Sequence, residues 1–95
     1  MTPSFSIRTT PRFERLARSL LKAHAEFRAF QDQAREILQS DPYNRSRSHP
    51  IKKLEGVRPG EGQYRLRLGR FRFRYDIWGQ EVEVNYCGLR REAYR

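Results

Sequence analysis

Arginine recurs at every second position on either side of a Gly-Arg pair. Arg65 and Arg67 flank Leu66, Arg72 and Arg74 flank Phe73, and Gly69-Arg70 stands between the two runs. The guanidinium is a planar fork of donors that never loses its charge, which suits it to phosphate oxygens. Period two places these arginines on one side of a strand pair and Tyr64, Leu66, Leu68, Phe71, Phe73 and Tyr75 on the other. Gly69-Arg70 suits a two-residue type II′ turn, and that turn fixes the register. Leu66 then faces Phe73 and Tyr64 faces Tyr75, while Arg67 faces Arg72 and Arg65 faces Arg74. Like charges placed directly opposite weaken a sheet by tenths to about 1 kcal/mol per pair. A fold that tolerates two such pairs is expected to use them, and an anion site is the use that relieves the repulsion.

The same arithmetic across a second turn, Gly79-Gln80, sets Asp76 opposite Glu83, Arg74 opposite Asn85 and Arg72 opposite Cys87. It assigns Val82, Val84 and Tyr86 to the core and Glu81, Glu83, Asn85 and Cys87 to the arginine side. No acidic residue falls beside the arginines in this register. Arg90, just past the strand, lands near the Gly69-Arg70 turn, and the tail with Arg91 and Tyr94 can fold back over the cluster. Tyr94 brings a phenol, ordinarily titrating near pH 10.

Composition supports a polyanionic partner. The 95 residues carry 20 Lys plus Arg against 11 Asp plus Glu, a net charge of +9, and all but Lys22, Lys52 and Lys53 of the basic residues are arginine. Such a surplus points to nucleic acid. A single cysteine, Cys87, excludes an internal disulfide, and two histidines beside it make a poor zinc set. No cofactor or metal site is expected. No run of 18 apolar residues is present, and the N-terminal residues lack a signal-peptide core, so a cytoplasmic protein with no membrane contact is expected.

The elements that must hold the arginines are legible from patterning. Residues 4–9 read as a short strand. Thr10-Pro11 reads as a helix start, cap then proline, followed by an apolar stripe of Phe13, Leu16, Ala17, Leu20 and Leu21. A second helix from Glu26 to Gln39 buries Phe27, Phe30, Ala34, Ile37 and Leu38, and the short link through His24 makes the pair an antiparallel hairpin. Residues 40–62, rich in Ser, Pro, Gly and charge, read as a long connection pinned by Ile51 and Leu54. The strands 63–68, 71–78 and 81–87 complete an α+β domain of residues 1–95. Its helices pack on one face of a three-stranded antiparallel meander.

These residues resemble a known family. The stretch QYRLRLGRFRFRYDIWGQEVEVNYCGLRREAYR is similar to the C-terminal half of RelE-like toxins of the RelE/ParE toxin–antitoxin superfamily, and DPY…KKLEG looks like that family's connector. The resemblance spans residues 5–95. It implies a ribosome-dependent endoribonuclease that cuts messenger RNA in the ribosomal A site and is silenced by a co-encoded antitoxin. The implied reaction is attack of a ribose 2′-hydroxyl on the adjacent phosphate. On this resemblance Arg65, Arg67, Arg72, Arg90 and Tyr94 are the catalytic set, with Arg70, Arg74, Arg91, Lys52 and Lys53 as further RNA contacts. Phe71 departs from the family's aromatic hydroxyl, and arginine stands at 65 and 67 where some relatives carry lysine. Arginine stays protonated and is a poor general base. Two rival readings remain open here: a ParE-like gyrase poison, and a basic module that binds RNA or DNA without cutting it. His24, His49 and Trp78 are read as non-catalytic, and Cys87 as a spectator, although nearby arginines would activate a thiol on their side.

Overall fold

The computed structural model describes residues 4–90. Strand β1 (Ser6–Thr9) leads into helix α1 (Pro11–Ala23), and helix α2 (Phe27–Ser40) follows a three-residue link. Strands β2 (Ile51–Lys53), β3 (Tyr64–Leu68), β4 (Phe71–Trp78) and β5 (Glu81–Leu89) complete the chain. Helix α1 starts as its sequence dictates. Thr10 is extended, and its hydroxyl accepts from the Phe13 amide at 3.1 Å with Pro11 at the first helical position. Phe13 and Ala17 of α1 and Phe27, Ala34, Ile37 and Leu38 of α2 are buried against Leu66, Leu68, Phe71, Phe73, Tyr75, Val82 and Val84 of the sheet.

Two features differ from the patterning. The expected N-terminal strand and three-stranded meander are present, but with an additional strand, β2, they form one five-stranded sheet in the order β1-β5-β4-β3-β2. β1 joins parallel to β5, with Ile7 beside Val82 and Thr9 beside Val84. Part of the expected connection forms β2, antiparallel to β3, with Ile51 against Leu66. Three residues are too few to show a period, so β2 is defined only by the edge that β3 offers. Elsewhere the connection is organised by Asp41, whose carboxylate accepts from the Arg45 amide at 2.8 Å and from the Ser46 amide and hydroxyl.

The second difference is a β-bulge. From Trp78–Glu81 to Tyr75–Val84 the β4–β5 register is as expected, but at the Arg74/Tyr75 step β5 carries one extra residue, Asn85. Beyond it Arg74 faces Tyr86, Phe73 faces Cys87 and Arg72 faces Gly88. The expected pairs Arg74–Asn85 and Arg72–Cys87 are therefore corrected, and so are two faces. Tyr86 lies on the arginine side and Cys87 in the core, 1% exposed.

Burial pushes the Cys87 thiol up to about 12, so the arginines do not activate it. Two outcomes follow. Native protein at pH 8 should resist alkylation while urea-unfolded protein reacts. Between the ordinary thiol value near 9 and the folded value near 12, the unfolded chain loses this proton and the folded chain keeps it. Stability should then fall with rising pH, by at most about 1.4 kcal/mol per pH unit, from full strength below pH 9. Urea titrations of parent and Cys87→Ala across that window measure the difference. Equal slopes would refute the assignment.

Candidate nucleic-acid interface

The β3–β4 hairpin brings the arginines together. Its turn has a positive φ only at Gly69 (59°), as a Gly-X turn of type II′ requires. The register is the expected one, with Arg67 opposite Arg72 and Arg65 opposite Arg74. β2 extends the row, since Lys52 lies opposite Arg65. Lys53 falls on the other side, its ammonium 5.7 Å from the Tyr64 ring centroid.

Arg72 sits at the middle of the cluster, yet it is only 5% exposed. Its Nη1 donates to the carbonyls of Gly69 at 2.8 Å and Phe71 at 2.9 Å, so the guanidinium braces the turn as it charges the surface. Its Nε is buried and makes no hydrogen bond among the described residues. Burial, and then the charges of Arg65, Arg67 and Arg90, pull this guanidinium below its usual value. Among the described residues, the charges that lower it are all positive. Arg65 is lowered in the same way, by burial and then by Arg67. Arg67 and Arg90 are exposed. Arg90 is held where the sequence places it, its amide donating to the Arg70 carbonyl at 3.0 Å.

Two other expected contacts are arranged differently. Arg74 is turned away from the cluster, and its Nε and Nη2 donate to the Gly62 carbonyl at 3.1 and 3.0 Å. Removing it should therefore cost stability rather than relieve repulsion. Arg70 reaches to the link between the helices, pairing with Glu26 at 2.9 Å and with the His24 ring. Arg91 and Tyr94 lie outside the described residues.

The residue that patterning missed is Asp76. It is 1% exposed, and it accepts from the amides of Gly62 at 2.8 Å and Gln63 at 3.0 Å and from the Asn85 side chain at 2.9 Å. It ties loop, strand and bulge together beneath one end of the arginine face.

A cluster of this kind should bind inorganic anions. Sulfate stabilises most proteins by exclusion from their surface, so the informative quantity is a difference. The parent's melting temperature should rise by several degrees more than that of Arg67→Ala or Arg90→Ala between low and high sulfate, through linkage to a bound ion. Equal shifts would remove the anion site.

No family model and no curated protein sequence matches this chain. Among solved structures, the fold is similar to that of archaeal RelE from Pyrococcus horikoshii OT3, crystallised as a RelE–RelB complex, with a TM-score of 0.61 and 25% identity. The match covers 92% of this chain and 96% of that one. In its α+β architecture and along nearly its whole length, the chain is RelE-like.

Proposed function

We propose that this protein is the toxin of a type II toxin–antitoxin pair, an endoribonuclease that cuts messenger RNA on the ribosome and so arrests translation in the cytoplasm. The observation that carries this reading is the like-charged set around Arg72, a buried guanidinium with Arg65, Arg67 and Arg90 about it. The RelE-like fold supports it independently. In the proposed reaction the 2′-oxygen bonds to phosphorus and the 5′-oxygen leaves, giving a 2′,3′-cyclic phosphate and a 5′-hydroxyl. Charge builds on the phosphoryl oxygens in the transition state, and preorganised donors aimed there supply the largest share of such rate enhancements. Arg65, Arg67 and Arg72 hold the phosphate, Arg90 neutralises the leaving oxygen, and Tyr94 orients the nucleophile. Lys52, in the row with Arg65, and Arg91 serve the flanking strand, whereas Lys53, Arg70 and Arg74 are committed to Tyr64, Glu26 and the Gly62 carbonyl and take no part. The partner is an acidic antitoxin, and complementary charge makes its association fast and salt-dependent.

The test is a map of messenger RNA ends after induced expression. New 5′-hydroxyl ends at codon-phased positions are expected, and they should vanish when the antitoxin is co-expressed. Double-strand DNA breaks without such ends would replace this reading with gyrase poisoning. Neither signal would reduce the protein to a basic binding module.

A further inference from the structure

Tyr86 has no place in the catalytic set, yet three features of the fold converge on its position. The first is the bulge. Had the β4–β5 register run on unbroken, Tyr86 would point beneath the helices. The extra residue Asn85 turns it to the arginine side, opposite Arg74. Bulges commonly re-aim a side chain next to a functional site. This one is pinned, because the Asn85 amide donates to buried Asp76 at 2.9 Å.

The second feature is Gly88. A Cβ there would collide with the Tyr86 hydroxyl and come within 2.9 Å of its Cζ. The phenol therefore lies along β5 with its oxygen over Gly88, and Gly88 is the ladder partner of Arg72. Opposed residues on neighbouring strands have Cα atoms about 4.5–5.5 Å apart. The hydroxyl thus stands in the same transverse row as Arg67 and Arg72. The third is Arg12 at the start of α1, whose guanidinium carbon lies 5.1 Å from the Tyr86 ring centroid. That contact holds the ring and carries positive charge to the site from the helical layer.

We propose that Tyr86 is a substrate-positioning residue whose hydroxyl donates a hydrogen bond to a non-bridging oxygen of the phosphodiester held by Arg67 and Arg72. This rests on the reading of the arginine face as the RNA site. The arginines fix the phosphate by charge. The phenol adds a directional donor from β5, across the row from Arg67, and so sets how the phosphate is rotated. Gly88 is the residue that leaves the hydroxyl this room.

The experiment uses two readouts on the parent, Tyr86→Phe and Gly88→Ala. Binding of inorganic phosphate to the isolated protein is followed by NMR titration, and cleavage of a messenger on programmed ribosomes is followed in single turnover. Tyr86→Phe should weaken phosphate binding about fivefold and slow cleavage about tenfold, with an unchanged amide spectrum away from the site. Gly88→Ala, whose Cβ pushes the hydroxyl and the adjoining ring edge out of the row while leaving the phenol intact, should weaken phosphate binding similarly. Parent-like phosphate binding in Tyr86→Phe would overturn the role of the hydroxyl, and so would a parent that binds no phosphate. A parent that binds phosphate more tightly than Tyr86→Phe, but cuts no message, would leave this proposal standing and remove the nuclease reading instead.

Discussion

Arg72→Ala should lower messenger cleavage by about 10²-fold or more, the usual loss when one electrostatic stabiliser of a transition state is removed. Its effect on folding should be small by comparison, although the side chain is buried, because two contributions oppose each other. Lost are the hydrogen bonds to the Gly69 and Phe71 carbonyls that brace the β3–β4 turn. A hydrogen bond from a charged group contributes about 1.5–3 kcal/mol. Gained are relief from the charges of Arg65, Arg67 and Arg90 and from the burial that already disfavours this cation. We expect a net loss of roughly 1–2 kcal/mol, a small difference between opposing hydrogen-bond and charge effects. Exposed Arg67 gives the control, since Arg67→Ala should lose activity without measurable loss of stability. Cleavage rates measured below each variant's melting temperature separate the two effects. A folded Arg72→Ala protein that cuts at the parent rate would remove Arg72 from the mechanism. Arg72→Lys should recover little, because an ammonium cannot span both carbonyls and still face a phosphate.

The first hairpin was legible because everything that sets it is local. A Gly-X pair fixes the turn, and period-two patterning on both sides fixes which residues oppose each other. The second hairpin reads as well up to Tyr75–Val84 and then slips by one. Asn85 interrupts nothing in the apolar alternation, because Tyr86 and Cys87 are each acceptable in a core. The one local sign was Gly88, since glycine inside a strand often marks a bulge or a close approach. β2 was illegible for a different reason: three residues with one apolar member, Ile51, acquire strand structure only from the edge of β3. The turning of Arg74 toward Gly62 is a long-range fact. A loop more than ten residues away in sequence provides the Gly62 carbonyl, so no spacing rule announces it. What the sequence conveyed about the site was thus its charge and its row structure. What it withheld was which guanidinium is buried, which is diverted, and which aromatic residue shares the face.

The largest loss of stability from a single polar substitution should come from Asp76→Ala. Its carboxylate accepts from the Gly62 and Gln63 amides and from the Asn85 side chain. Gly62 is itself buried, with φ at 84° and its position a Cβ's contact away from Arg74 and Asn85, so that segment cannot simply move aside. Truncation leaves a buried amide without an acceptor, which costs about 1–3 kcal/mol, and loosens two further bonds. We expect a total of about 2–4 kcal/mol, which lowers the melting temperature of a domain this size by roughly 10–25 °C. Asp76→Asn keeps one acceptor oxygen but turns an amide toward other donors, so it should lie between the parent and Asp76→Ala. The consequence for the site is the more telling result. Asn85 is the bulge residue and Asp76 is its anchor, so Asp76→Ala should release the register that sets Tyr86 and Gly88 on the arginine side. Hydrogen exchange should show β5 from Asn85 to Leu89 losing protection while Glu81–Val84, paired on both sides by β1 and β4, keep theirs. Urea denaturation gives the energy and exchange gives the place. A variant as stable as the parent, or one that loses protection evenly along β5, would show that the bulge holds without this carboxylate.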